Sequence, residues 1–176
     1  MHFVYMYHNS VSGVNFHAFV CEDIVSRMSS YPTLCFDAQM GVYYGFTDGA
    51  SQHTQNLASA TWVIYSSSDE LVSLGGSFLG PTTNNVVAYN VVVGLMTEAL
   101  SNSISHMIVH LDSQLVVSQL NHNYSICDPT LLCFFRRVRL LERLVEFIQY
   151  CYIPRKFNVI VDSLSNFMLD WHLLHI

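Results

Sequence analysis

The stretch FTDGAS, residues Phe46 to Ser51, decides how this sequence is interpreted. It continues an apolar run, Val42 to Phe46, that predicts a buried strand, and it places Asp48 at the expected end of that strand. Two interpretations compete. Asp-Gly after a strand is typical of a hairpin turn, whereas a carboxylate at a sheet edge can also be a metal or substrate ligand. Only the rest of the chain can decide between them.

The composition predicts one domain with a packed core. The chain has 176 residues, of which 51% are hydrophobic and 11% are charged, and its formal net charge is -6. An acidic average argues against a general nucleic-acid binder, but six of the seven Lys and Arg residues lie between Arg136 and Lys156. The five cysteines are odd in number and form no CxxC pair, so disulfides and a structural zinc site are not expected. His17 and Cys21 have ligand-like spacing but are too few to bind a metal.

The ends of the chain are less informative than its middle. No apolar run approaches the roughly 20 residues of a membrane span, and MHFVYMYHNS lacks the basic and apolar regions of a signal peptide. Residues 1–41 show no clear hydrophobic period, and we interpret them as an extension or a linker from a larger polypeptide. The sequence leaves open whether this segment is ordered. We expect an intracellular protein, cytoplasmic or nuclear, with no membrane contact, a domain over residues 42–171 and a tail over residues 172–176.

The pattern from residue 42 onward predicts the element order βββαβααβα. Strands are expected over Val42–Thr47, Ala58–Tyr65, Leu71–Phe78, Ser105–Leu111 and Ile148–Ile153. Helices are expected over about 82–101, Gln114–Leu120, Pro129 to about Phe147, and Val159–Trp171. A meander followed by strand–helix–strand connections predicts an α/β (mixed α+β) fold, with a five-stranded mixed sheet flanked by helices.

Two further aspartates occupy junctions similar to that of Asp48. Asp112 follows a predicted strand in IVHLDSQL, and Asp162 opens the last predicted helix in IVDSLSN. Each alone has an ordinary explanation, because Asp112 can form an Asx-turn and Asp162 can cap a helix. Three carboxylates that meet in space would repel one another unless a cation lies between them. Hard oxygen ligands select Mg²⁺ or Mn²⁺, and two such ions can stabilise both reacting oxygens of a phosphodiester.

Four motifs in this order resemble the ribonuclease H type 1 domain: FTDGAS, TNN at the first helix, LDSQLVV, and IPRKFNVIVDSLSN. The resemblance is to the form attached to reverse transcriptase in plant gypsy-type retrotransposon polyproteins, and it covers residues 42–171. It implies an RNase H-like fold and cleavage of the RNA strand of RNA/DNA hybrids by two Mg²⁺ or Mn²⁺ ions in a D-E-D-D site. Asp48, Asp112 and Asp162 match the first, third and fourth acids, so the resemblance implies that they bind metal.

The resemblance also implies contacts with the hybrid. Thr83, Asn84, Asn85 and Gln114 match positions that touch the minor groove, and short amides and hydroxyls can contact 2′-hydroxyls without reading sequence. Helix capping is a second role open to the two asparagines. Arg155 of the I-P-R motif is a further candidate for nucleic-acid contact.

Two positions depart from the family's pattern. Ala88 stands where T-N-N-x-x-E-Y places the second acid, and Glu98 lies about 15 Å further along the helix, too far to replace it. Tyr152 stands where many relatives carry a histidine, and a tyrosine with a pKa of about 10 is a poor proton carrier at neutral pH. A lost metal ligand removes charge stabilisation from the transition state, so we expect hydrolysis to be weakened or lost.

Arg136, Arg139 and Arg143 fall within about 60° of one another on the helix that Pro129 opens. They form either a solvated face paired with neighbouring glutamates or a binding surface for the phosphates of the hybrid's DNA strand, and the sequence leaves both open.

Other function classes also remain: a catalytically dead module that binds hybrid or supports a reverse transcriptase domain, another nuclease or transposase on the same fold, or the product of a decaying element. Ala88 and the acidic net charge discriminate the dead module from an active enzyme, and the set of DGAS, TNN, DSQ and IPR motifs favours a hybrid ribonuclease over another nuclease or transposase.

Overall fold

The structure is a computed structural model that describes residues 5–6, 41–52, 57–159 and 161–166. Most of the predicted extension, the last predicted helix beyond residue 166 and the tail lie outside the described residues. The strands are β1 (Tyr5–Met6), β2 (Tyr43–Gln52), β3 (Leu57–Tyr65), β4 (Leu71–Leu79), β5 (His106–Leu111) and β6 (Phe147–Tyr152). The helices are α1 (Asn84–Ser101), α2 (Gln114–Leu120) and α3 (Pro129–Glu142), followed by a 3₁₀ turn, Arg155–Phe157, and a helical segment over residues 161–166.

The strands form one mixed sheet in the order β1-β4-β3-β2-β5-β6. The β2–β3–β4 meander is antiparallel, whereas β5 runs parallel to β2 and β6 runs parallel to β5. The predicted five-stranded mixed sheet is therefore confirmed, with the two-residue β1 added in parallel to β4.

Strand β2 continues through the Asp-Gly pair. Asp48 lies opposite Thr61 of β3, and Gly49 lies opposite Ala60. The predicted strand end at Thr47 is thus wrong, and the hairpin turn, one of the two interpretations left open for Asp48-Gly49, does not form. A Cβ atom on Gly49 would lie 2.3 Å from Cγ1 of Val87, so this glycine allows α1 to approach the sheet and does not make a turn.

Helix α3 ends earlier than its periodicity predicts. It stops at Glu142, and Phe147, the expected last helical residue, instead begins β6. The backbone N–H groups of Glu146 and Phe147 both donate to the carbonyl of Ser105, at 2.9 and 3.0 Å. These bonds draw the chain into the sheet beside β5, which the helical period could not indicate.

The core lies mainly between the sheet and α1, with α3 packed on α1 from outside. Helix α1 is apolar around most of its circumference, as expected for a helix covered on more than one side, and Val87, Val92 and Leu95 are fully buried. Val63, Leu74 and Val161 form a second, smaller hydrophobic cluster. In this cluster the helical segment over residues 161–166 packs against β3 and β4. In the described part of the chain, no helix is long and apolar enough to cross a bilayer.

Candidate active site

Asp48 and Asp112 come together because their strands are neighbours in parallel register. Thr47 of β2 lies opposite Leu111 of β5, so the next residues along the two strands are Asp48 and Asp112. Asp48 is only 2% exposed, and neither of its carboxylate oxygens accepts a hydrogen bond from the described residues. A buried carboxylate without partners is costly, which distinguishes this position from an ordinary structural acid.

The electrostatics of the pair follow from this placement. Burial raises the pKa of Asp48 to about 6, with the charge of Asp112 as the next cause, and burial also raises the pKa of Asp112. The nearby Ser165 hydroxyl acts in the opposite direction on Asp48, but its partner at hydrogen-bond distance is the hydroxyl of Thr61. Two carboxyl groups so placed hold a proton or attract a cation more readily than isolated ones.

Asp162 lies in the same region but is engaged by Arg155. Its Oδ1 accepts hydrogen bonds from Nε and Nη2 of Arg155, at 2.9 and 2.6 Å. The charge of Asp162 still contributes to raising the pKa of Asp48, whereas the charge of Arg155 lowers the pKa of Asp48. Within the described ranges, no group of three or more His, Cys, Asp or Glu side chains is arranged to hold a metal ion. Two of the three predicted acids are thus brought side by side, and the third faces a guanidinium.

Asn158, which sequence reasoning missed, joins the Asp162 segment to β2. Its buried side chain donates from Nδ2 to the carbonyl of Thr47 at 2.7 Å, and the backbone carbonyl of Asn158 accepts the backbone N–H of Asp162 at 3.0 Å. Asp162 is therefore fixed relative to the residue that precedes Asp48. The available signal was an asparagine four residues before an aspartate at a helix start, which suggests a local turn and not a contact across 111 positions.

Ala88 offers no ligand where the family's second acid is expected. It is half-buried in the first turns of α1 and packs against the apolar core. Glu98 lies near the other end of the helix, 7% exposed. Its Oε1 accepts hydrogen bonds from Ser73 Oγ at 2.7 Å and Asn102 Nδ2 at 3.2 Å, so Glu98 is committed elsewhere.

The predicted groove-contacting residues lie at the N-termini of two helices. Thr83 is the N-cap of α1, so capping falls to it and not to the asparagines. Asn84 instead accepts a hydrogen bond on Oδ1 from the Ser51 hydroxyl at 2.5 Å, which ties the helix start to β2. Asn85 is half-buried, and Gln114, the first residue of α2, is exposed.

The predicted arginine stripe is interrupted. Arg136 and Arg143 are exposed, but the Arg139 side chain is only 25% exposed and pairs with Glu142 Oε2 at 2.6 Å. Its Nη2 also donates to the carbonyl of Leu120 at the end of α2, where helix carbonyls lack intrahelical partners. The Arg139–Glu142 pair confirms for this residue the alternative of a face paired with neighbouring glutamates. Its burial against the end of α2 contradicts a fully exposed stripe, because the helical angle says nothing about the neighbouring helix end.

Tyr152, at the position of the family's histidine, closes β6 opposite Leu111 and is 44% exposed. The residue after Leu111 is Asp112, so Tyr152 lies at the same edge of the sheet as the carboxylates. Its predicted correspondence to the histidine stays a prediction.

The mixed sheet, its connections and the paired aspartates define the RNase H-like class of proteins. A family model described as "Reverse transcriptase-like" matches residues 46–168. The sequence is 32% identical to ribonuclease HI of Halobacterium salinarum over 132 residues, which cover 74% of this chain and 65% of that protein. The chain belongs to this family, that of ribonuclease H type 1 domains, and the specific likeness to plant gypsy-type elements stays a prediction.

Solved structures agree with this assignment. The crystal structure of RNase H1 from Halobacterium salinarum matches with a TM-score of 0.70 and 30% identity, covering 74% of this chain and 98% of that one. The RNase H1 called LC11, crystallised in complex with an RNA/DNA hybrid, matches with a TM-score of 0.69 and 26% identity, covering 74% and 99%. The chain also spans a quarter of the length of a bifunctional protein of Mycobacterium tuberculosis, with 29% identity over 92 residues.

Proposed function

We propose that this chain binds RNA/DNA hybrids as an RNase H-type domain, and that hydrolysis of the RNA strand is weakened or lost because Ala88 replaces the catalytic glutamate. The observation that carries the proposal is the pair of Asp48, on β2, and Asp112, directly after the adjacent β5, with both oxygens of Asp48 buried and without partners in the described residues. The hybrid bound by the related LC11 enzyme supports the substrate class.

The donor set of this pair fits a divalent cation. Adjacent carboxylates are stabilised when a cation lies between them, and their hard oxygens suit Mg²⁺ or Mn²⁺. Asp48 and Asp112 would hold the metal, and Asp162 could join them once Arg155 releases it. A bound ion would supply Lewis-acid activation of a phosphodiester oxygen. The family's two-ion arrangement lacks one ligand here, because Ala88 has no oxygen to offer.

The chain's own residues would position the hybrid. Thr83, Asn84, Asn85 and Gln114 are proposed to contact the minor groove from the N-termini of α1 and α2, where backbone N–H groups and the helix dipole favour phosphate nearby. Arg155 is proposed to contact the backbone near the carboxylates. Arg136 and Arg143 remain candidates for DNA-strand phosphates, whereas Arg139 is occupied by Glu142 and Leu120.

A second candidate function is a catalytically dead module that holds hybrid or supports a reverse transcriptase domain of the same polyprotein. Two observations favour it: Ala88 lacks a ligand atom, and Arg155 already neutralises Asp162. The Arg155 guanidinium beside the carboxylates supplies part of the positive charge that a metal ion would supply. The folded state is therefore partly stabilised even when no metal is bound and no hydrolysis occurs.

The deciding experiment is cleavage of an end-labelled RNA/DNA hybrid in Mg²⁺ and in Mn²⁺. The unaltered chain is compared with Ala88→Glu, and Ala88→Gln serves as a matched control of the same size without the charge. A metal ligand is worth several kcal/mol in the transition state, so we expect Ala88→Glu to cut at least ~100-fold faster than the other two.

Each other outcome has a definite meaning. Equal cleavage by all three proteins would show that Ala88 does not limit the reaction. Hybrid binding without cleavage by any of them would favour the dead module. The absence of hybrid binding would overturn the proposed function as a whole.

A further inference from the structure

An exposed group of aromatic and basic residues lies at the end of β6 and in the turn that follows it, at the edge of the sheet where the paired aspartates lie. We call Tyr152, Lys156 and Phe157 the edge platform. Tyr152 is 44% exposed and Phe157 is 54% exposed. Lys156 Nζ lies 4.9 Å from the centre of the Phe157 ring. Aromatic surface and positive charge therefore occur together at this edge.

The edge platform is held firmly beside the carboxylates. Tyr152 lies opposite Leu111, the residue before Asp112. Phe157 closes the 3₁₀ turn, and its backbone N–H donates to the carbonyl of Pro154 at 2.9 Å. The next residue, Asn158, is the one that binds the Thr47 carbonyl beside Asp48. The backbones of both aromatic residues are thus anchored by short connections to β5 and β2, next to Asp112 and Asp48.

Another exposed phenylalanine provides a contrast within the same sheet. Phe147 begins β6 and is 40% exposed, and its ring stacks on His106 with 6.3 Å between ring centroids. Because β6 rises about 3.3 Å per residue, Phe147 lies roughly 17 Å from Tyr152, at the opposite end of the sheet. Phe147 is stacked on a protein ring, whereas Phe157 has a cation at its ring and lies at the site edge.

Exposed aromatic rings beside cations are the chemistry that binds single-stranded nucleic acid, because every base offers a face for stacking and every nucleotide a phosphate. Bases inside a duplex are already stacked on their neighbours. Only an unpaired base, at an overhang or at a junction where the hybrid ends, presents a free face to such a surface.

We propose that the edge platform binds an unpaired nucleotide that extends from the hybrid next to Asp48 and Asp112. This inference rests on the proposed function and narrows its substrate class to hybrids that carry a single-stranded extension or end at a junction. Phe157 and Tyr152 stack on the base, and Lys156 contacts its phosphate. They are positioning residues, because they bind the nucleotide beside the reacting bond and not the reacting atoms.

The test is fluorescence anisotropy with the full chain and four labelled probes: a blunt hybrid, the same hybrid with a short RNA overhang, the same with a short DNA overhang, and single-stranded RNA alone. Stacking of one base predicts that an overhang hybrid binds at least about fivefold more tightly than the blunt one. Phe157→Leu should abolish this preference. Phe147→Leu, a matched change at the far end of the sheet, should retain it, and the two overhang probes show which strand supplies the nucleotide.

The results separate this inference from the proposed function. Equal affinity for blunt and overhang hybrids, or a preference that survives Phe157→Leu, would overturn the edge platform and leave hybrid binding intact. Binding of single-stranded RNA through Phe157 without hybrid binding would support the platform and overturn the proposed function. The absence of binding to every probe would overturn both.

Discussion

Asp48 and Glu98 are buried carboxylates in the same domain, and their surroundings are opposite. Glu98, near the end of α1, is 7% exposed, and one of its oxygens accepts hydrogen bonds from Ser73 and Asn102. Asp48, on β2, is 2% exposed, accepts no hydrogen bond from the described residues and has Asp112 beside it. Buried polar groups in folded proteins are normally bonded, so Glu98 serves the fold, whereas Asp48 is left available for a ligand.

The difference has a consequence for stability. The folded-state pKa of Asp48 is raised to about 6 from an ordinary value of 3.8, by burial first and by Asp112 second. The folded chain therefore binds more protons than the unfolded chain between these two values. The contribution of Asp48 to stability is fully present below pH 3.8 and is lost as the pH rises through about 6.

The largest expected effect comes from Asp48→Asn. Removing the buried charge should stabilise the protein by about 3 kcal/mol near pH 7.5, because a pKa shift of one unit corresponds to about 1.4 kcal/mol and the amide can donate to Asp112. Urea unfolding of both proteins across the acid-to-neutral range measures it. The unaltered chain should lose stability relative to the variant as the pH rises. Destabilisation by Asp48→Asn would mean that the carboxylate already has a partner.

A smaller effect of opposite sign is expected at Glu98. Glu98→Ala leaves the buried Ser73 hydroxyl without its acceptor and should cost about 2 kcal/mol, the usual penalty for such a group. Glu98→Gln retains the accepting oxygen and serves as the matched control, with a loss below about 1 kcal/mol. Equal losses in the two variants, measured by urea unfolding, would contradict a bonding role for this carboxylate.

The smallest effect concerns metal binding. Mg²⁺ at several times its Kd should raise the stability of the unaltered chain by about 1 kcal/mol, because it binds the folded state at Asp48 and Asp112. Thermal unfolding with and without Mg²⁺, at matched ionic strength, measures the shift. Asp48→Asn should remove it and Glu98→Gln should retain it. A shift of the same size in all three proteins would show that the ion binds elsewhere.

Local pattern predicted most of the fold. Alternating and helical periods predicted the succession of elements from β2 onward, whereas the parallel pairing of β5 with β2 is seen only in the folded sheet. The errors occurred where a distant group changed a local outcome. Pairing with Thr61 of β3 keeps Asp48 inside a strand, and the Ser105 carbonyl binds the backbone N–H of Phe147 where a helix was predicted.

The features of the candidate site likewise fall into those that the sequence predicted and those that it did not. The sequence singled out Asp48, Asp112 and Asp162 through their motifs, and the structure places the first two side by side, whereas the role of Ala88 as a missing acid stays a prediction. It did not show that Arg155 holds Asp162, and although it left open a glutamate partner for Arg139, it did not show that this side chain also binds the end of α2.

The sequence by itself determined the succession of strands and helices, because the period of apolar residues is a local property. The tertiary structure decided which strands are neighbours, since the long connection through α1 carries β5 past β3 to lie beside β2 and brings Asp112 next to Asp48. Only the tertiary structure decided which carboxylates are satisfied and which are left free. Partners such as Asn158 and Thr47 are separated by 111 positions, and their hydrogen bond exists only after the elements have packed.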